Sequence, residues 1–90
     1  MAKKSQDTWN LYSFVMRGKN RRLVLKSLTK PQTPTSIKEN TRLGIKVVSR
    51  VLKEFNAKGI VECKTPNQKL GKVYVLSAKG KKVVELSNVG

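Results

Sequence analysis

Two expected helices joined by a three-residue turn constrain this chain more than anything else in it. Thr33-Pro34 pairs a hydroxyl side chain with a proline. The hydroxyl can accept an orphan N–H of the first helical turn, and the proline's missing N–H costs nothing at the first helical position. A short helix is expected from Pro34 to about Asn40, burying Ile37. Arg42-Leu43-Gly44 then forms a tight turn with Leu43 pointing inward. Gly44 is an acceptable N-cap for a second helix, Ile45 to Lys58, which Gly59 ends as the glycine just past its C-terminus. Few folds hold two helices this close together across so short a link.

The flanking segments narrow the choice. Residues 1–6 are polar and are expected to form a flexible tail. Asp7 or Thr8 can cap a helix carrying Trp9, Leu11, Tyr12, Val15 and Met16, which Gly18 ends or bends. Asn20 to Leu28 sets Leu23, Val24 and Leu28 on one face, and Thr29 to Pro34 is a connector. Beyond Gly59, Ile60–Lys64 and Lys72–Leu76 are expected as antiparallel strands around a loop, Thr65 to Gly71, rich in turn residues. Ser77 can cap a closing helix through Val83, Val84 and Leu86, with Gly80 in its first turn. The fold class is α+β, mostly α. One winged helix-turn-helix domain is expected over residues 7–90, with three core helices, a two-stranded hairpin wing and a C-terminal helix.

Composition restricts the chemistry. The 90 residues include one cysteine, Cys63, and no histidine. Cys/His metal sites, Ser-His-Asp triads and Cys-His pairs are therefore excluded, and Cys63 is expected as a small apolar filler in a strand. Five scattered carboxylates and no Gly-rich phosphate loop argue against an enzyme, and no cofactor is expected. No apolar run is long enough to span a membrane, and a cytoplasmic, nucleoid-associated protein is expected. Twenty Lys and Arg against five Asp and Glu give a net charge of +15. The cations lie in long acid-free gaps, as between Asp7 and Glu39 and between Glu62 and Glu85. A solvated surface intersperses both signs, so a polyanionic partner is the better explanation, and nucleic acid fits it better than a membrane surface.

Winding residues 45–58 at 100° per residue puts Ile45, Val48, Leu52 and Phe55 within about 80° of one another as a core stripe. Opposite them Lys46, Arg50 and Lys53 fall within about 60°, along roughly 10 Å of helix. Their mutual repulsion destabilises an isolated helix, and Glu54 lies off the stripe. The ridge is either solvated or faces a major groove. In the second case Arg50 suits guanine or a phosphate, Lys46 a base edge or the backbone, Ser49 either, and Lys53 a phosphate. Val47 either reaches a thymine methyl or packs in the core.

Two more basic clusters are candidates. Lys64, Lys69 and Lys72 surround Thr65, Asn67 and Gln68 on the wing, which would lie along the DNA backbone or minor groove or else touch nothing. Lys19, Arg21, Arg22 and Lys26, with Lys38, could meet flanking phosphates or simply face solvent. Lysine attracts phosphate as a point charge and discriminates poorly among bases, so affinity should be strongly electrostatic. Trp9, Tyr12 and Phe14 crowd the first helix and serve either core packing or a homodimer contact.

Several runs resemble short archaeal winged-helix regulators related to the MarR and ArsR groups. They are Arg22-Leu23-Val24-Leu25 with Leu28, Thr33-Pro34-Thr35-Ser36-Ile37, Val48-Ser49-Arg50-Val51-Leu52-Lys53, Lys58-Gly59-Ile60-Val61 and Gly71-Lys72-Val73-Tyr74-Val75-Leu76-Ser77. The resemblance, over roughly residues 14–86, implies a dimeric regulator binding double-stranded DNA, with 45–58 as recognition helix and 65–71 as wing tip. This sequence departs from that pattern at Arg42, where glycine is common, and at Gly44, where serine or threonine commonly caps. Arg42 is thereby a further candidate phosphate contact. The metal ligands of ArsR-type sensors are absent, and no small-molecule effector is expected. Two other readings stand beside the regulator: a non-specific nucleoid or architectural protein, and a winged helix serving RNA or protein contacts.

Overall fold

The computed structural model describes residues 2–69 and 71–89; Met1 of the expected tail, Leu70 of the wing and Gly90 lie outside them. Five helices and two short strands follow in the order α1 (Ala2–Met16), α2 (Lys19–Ser27), α3 (Pro34–Thr41), α4 (Ile45–Ala57), β1 (Val61–Cys63), β2 (Tyr74–Leu76) and α5 (Ala78–Val89). This is a winged helix-turn-helix: α3 and α4 flank the turn, the antiparallel β1–β2 pair is the wing, and α5 closes the domain.

Local chemistry sets most boundaries. Thr33 Oγ1 accepts the Ser36 N–H at 3.1 Å ahead of Pro34, as its sequence promised. Gly59 takes φ +76° just past α4, a conformation costly for a residue with a Cβ. Gly18 separates α1 from α2 and does not merely bend one long helix. Ser77 caps α5 by accepting the Gly80 N–H at 3.1 Å.

Two expectations are corrected. The first helix begins at Ala2, so neither Asp7 nor Thr8 caps it. The strands are shorter than the apolar runs suggested, with Val61 paired to Leu76, Glu62 to Val75 and Cys63 to Tyr74. Within the connector before α3, Gln32 exchanges both backbone hydrogen bonds with Tyr74, at 3.0 and 2.7 Å. The helix-turn-helix and the wing are therefore joined through one sheet residue.

The core lies between the helices and one side of the wing. Val15, Val24, Leu25, Leu28, Ile37, Val48, Val51, Leu52, Phe55, Ile60, Val61 and Val83 are buried, drawn from every helix and from β1. Phe55 is the largest fully buried side chain. α1 packs against both α2 and α5, so the first and last helices are neighbours.

Candidate nucleic-acid interface

The turn before α4 is held by Thr41. Its hydroxyl donates to the Ile37 carbonyl at 2.7 Å and accepts the Leu43 N–H at 3.3 Å. Arg42 follows with φ +64°, the one non-glycine residue with positive φ among those described, and its N–H reaches the Lys38 carbonyl at 2.7 Å. Leu43 packs half-buried on the core, as expected. Gly44 caps α4 without a side chain, and a Cβ there would meet nothing within 4 Å.

α4 buries Val48, Val51, Leu52 and Phe55. The centre of that face lies about 180° from the arc of Lys46, Arg50 and Lys53. All three cations, with Ser49 and Arg42, are exposed. The stripe thus clears the protein's own body. One member of the expected core does not hold: Ile45 is 43% exposed and Val51 takes its place. The buried face is centred on the Leu52–Val51 side of the helix, about 70° from Ile45, so Ile45 lies on its rim. Val47, on the other rim, is half-buried against the core.

The fold brings part of the third basic cluster, Lys19 and Arg21, beside α4. Arg17, Lys19 and Arg50 line one open cleft, floored by Val47 and Val51 and walled by Arg21 and Glu54. Arg21 itself is turned inward. Its Nε and Nη2 donate to the two Glu54 carboxylate oxygens at 3.2 and 3.3 Å, and its Nη1 donates to the Phe14 carbonyl at 2.9 Å. The guanidinium also lies over the Phe14 ring, 3.9 Å from its centroid. Arg21, one of the candidate phosphate contacts, thus has its guanidinium engaged within the protein, where it ties α1, α2 and α4 together, because a planar guanidinium can serve a carboxylate and a ring face at once. Arg22 donates to the Met16 carbonyl at the end of α1, while Lys19, Lys26 and Lys38 stand exposed. Arg17 was not singled out in the sequence; its membership of an acid-free basic run was the available signal.

The wing tip is a turn in which the Gln68 N–H reaches the Thr65 carbonyl at 3.1 Å around Pro66. Thr65 Oγ1 accepts the Val73 N–H at 3.0 Å, so this residue holds the two arms together. Lys64, Asn67, Gln68 and Lys69 are exposed at the tip, and Lys72 is half-buried. Deeper in the hairpin, burial pushes the Tyr74 phenol above its ordinary pKa, with the facing Cys63 adding to the rise. Tyr74 therefore stays neutral, and Cys63 is half-buried as a strand filler.

On α1 Trp9 is 55% exposed, with its ring edge-on to Tyr12 at 5.5 Å. Phe14 instead packs against the core beneath Arg21. No described helix is long and apolar enough to cross a membrane.

The arrangement defines a winged helix-turn-helix protein with a cationic second helix. Solved structures share its fold. TubR from Bacillus thuringiensis serovar israelensis, bound to 24 bp of tubC, superposes with a TM-score of 0.80 at 17% identity, over 91% of this chain and 92% of that one. The homodimeric winged helix-turn-helix DNA-binding domain of Mb0332 from Mycobacterium bovis, a possible ArsR-family regulator, gives 0.72 at 14% identity over 98% and 82%. A MarR family transcriptional regulator from Silicibacter pomeroyi gives 0.65 at 18% identity over 98% and 62%. No protein-family model matches the chain, and no curated protein matches it in sequence.

Proposed function

We propose that this chain binds double-stranded DNA as a homodimeric transcriptional regulator. α4 enters the major groove, and the wing, through Lys64, Asn67, Gln68, Lys69 and Lys72, follows the backbone or minor groove. The observation that carries this reading is the exposed ridge of Lys46, Arg50 and Lys53, opposite the buried face of the second helix of a helix-turn-helix. A ridge of like charge destabilises its own helix, and a polyanion relieves that repulsion. Arg42 and the cleft cations Arg17 and Lys19 flank the ridge and suit the phosphates bordering the groove. Two structures of the same fold support the reading: TubR is bound to DNA and the Mb0332 domain is homodimeric. The exposed Trp9 on α1, a helix that α5 packs against, is the surface we assign to the dimer contact.

A second reading, a coating or architectural protein with little sequence preference, is favoured by the balance of cation types. Only five of the twenty cations are arginines, and Arg21 is committed to Glu54 and Phe14. Selection of duplexes from a random pool with competitor RNA present separates the readings. An enriched inverted repeat supports the dimeric regulator, flat enrichment supports coating, and preference for the RNA rejects both. On an enriched site Arg50→Ala should cost about 1–3 kcal/mol and relax the sequence preference. Affinity should fall with salt at a slope of roughly −5 to −7 if six to eight phosphates are neutralised.

A further inference from the structure

We propose that Ile45 is a specificity-determining residue that reads thymine by packing on its C5 methyl group, an assignment that rests on the duplex-binding reading above. Among the described residues two large hydrophobic side chains stand exposed, Trp9 and Ile45. Trp9 has Tyr12 beside it on an aromatic helix face. Ile45 instead sits among exposed polar and cationic neighbours, with Arg42 and Lys46 on either side in sequence and Ser49 one turn on.

The protein's own stability explains isoleucine there only in part. A β-branched residue is a poorer helix former than alanine, and 43% exposure forfeits much of its burial gain. A neighbour breaks a local rule as well. Arg42 holds a left-handed conformation three residues earlier. Two departures from what stability favours, both at the tip of one turn, mark a surface shaped for a partner.

The chemistry of the surroundings selects that partner. An apolar protein patch would have to strip water from Arg42 and Lys46 without pairing them. The major groove of DNA offers phosphates to the cations, and its one apolar group is the thymine methyl. Recognition helices meet bases with their N-terminal residues, and Ile45 is the first residue of α4. Val47, the other aliphatic side chain considered for this role, is half-buried on the core and the cleft floor.

The test removes the methyl alone. Wild type and Ile45→Ala are titrated against the selected duplex and against copies in which single thymines become deoxyuridine. If the selection is flat, a mixed-sequence duplex and its all-uracil copy take their place. Wild type should lose about 4-fold or more in affinity when the contacted methyl is removed. Ile45→Ala should not respond to that removal, while keeping the wild-type salt slope and melting curve. Ile45→Val should keep part of the preference. Equal responses of wild type and Ile45→Ala at every thymine overturn the assignment and leave duplex binding standing. Failure of wild type to retain any duplex in dilute buffer overturns both.

Discussion

The starts of α4 and α5 make an instructive pair, because each has a glycine in or next to its first turn and a polar residue close before it. At α5 the capping serine and the glycine are both bonded within the protein. Ser77 accepts the Gly80 N–H, its hydroxyl lies against the Gly59 and Ile60 carbonyls, and its own N–H reaches the Ile60 carbonyl at 2.9 Å. Gly80 is buried so tightly that a Cβ would stand 2.2 Å from that same carbonyl. At α4 the glycine faces open space, the preceding arginine is backbone-strained and the first helical residue is exposed. The start of α5 is optimised for the fold. The start of α4 is suboptimal for the fold in the place where the cations project, and this is what a contact surface for another molecule requires.

Substitutions at the two helix starts test the contrast, because they should move stability in opposite directions. Gly80→Ala should have the largest effect, a loss of about 3 kcal/mol or more, since a backbone carbonyl cannot yield like the end of a flexible side chain. Urea denaturation measures it, and a mild effect would mean α5 does not approach Ile60 so closely. Ser77→Ala should lose about 1–2 kcal/mol through the missing cap. Ahead of α4, Arg42→Gly should raise stability by about 1 kcal/mol by relieving the left-handed strain. The same variant should bind duplex more weakly, and a gain in both stability and binding would refute a contact role for Arg42. Gly44→Ser, with room for its side chain, should add a few tenths of a kcal/mol in thermal melts.

Legibility in the sequence followed the range of the interaction. The Thr33-Pro34 start, the turn at Arg42-Leu43-Gly44, the cationic stripe of α4 and its end at Gly59 were all readable, because capping and helical spacing act within a few residues. The wing was readable as a hairpin, although its strands are shorter than its apolar runs. Arg21 could not be assigned in this way: its Glu54 partner is 33 residues away, and in the sequence it looks like any other member of a basic run. The pairing of Gln32 with Tyr74 was hidden for the same reason. Ile45 was misplaced because the helical pattern gives relative angles around an axis, whereas exposure depends on where the other elements stop.

The order of residues by itself determined the helices on either side of the turn, the ridge of Lys46, Arg50 and Lys53, and the excess of positive charge. Each follows from local backbone preference, helical periodicity or a sum over residue types. Only the tertiary structure decided that Arg21 turns inward to Glu54, that Arg17 and Lys19 stand beside Arg50, that α1 lies against α5, and that Ile45 is left uncovered. These depend on which distant segments share space, and that is settled by how the apolar faces pack together and not by any one stretch of chain.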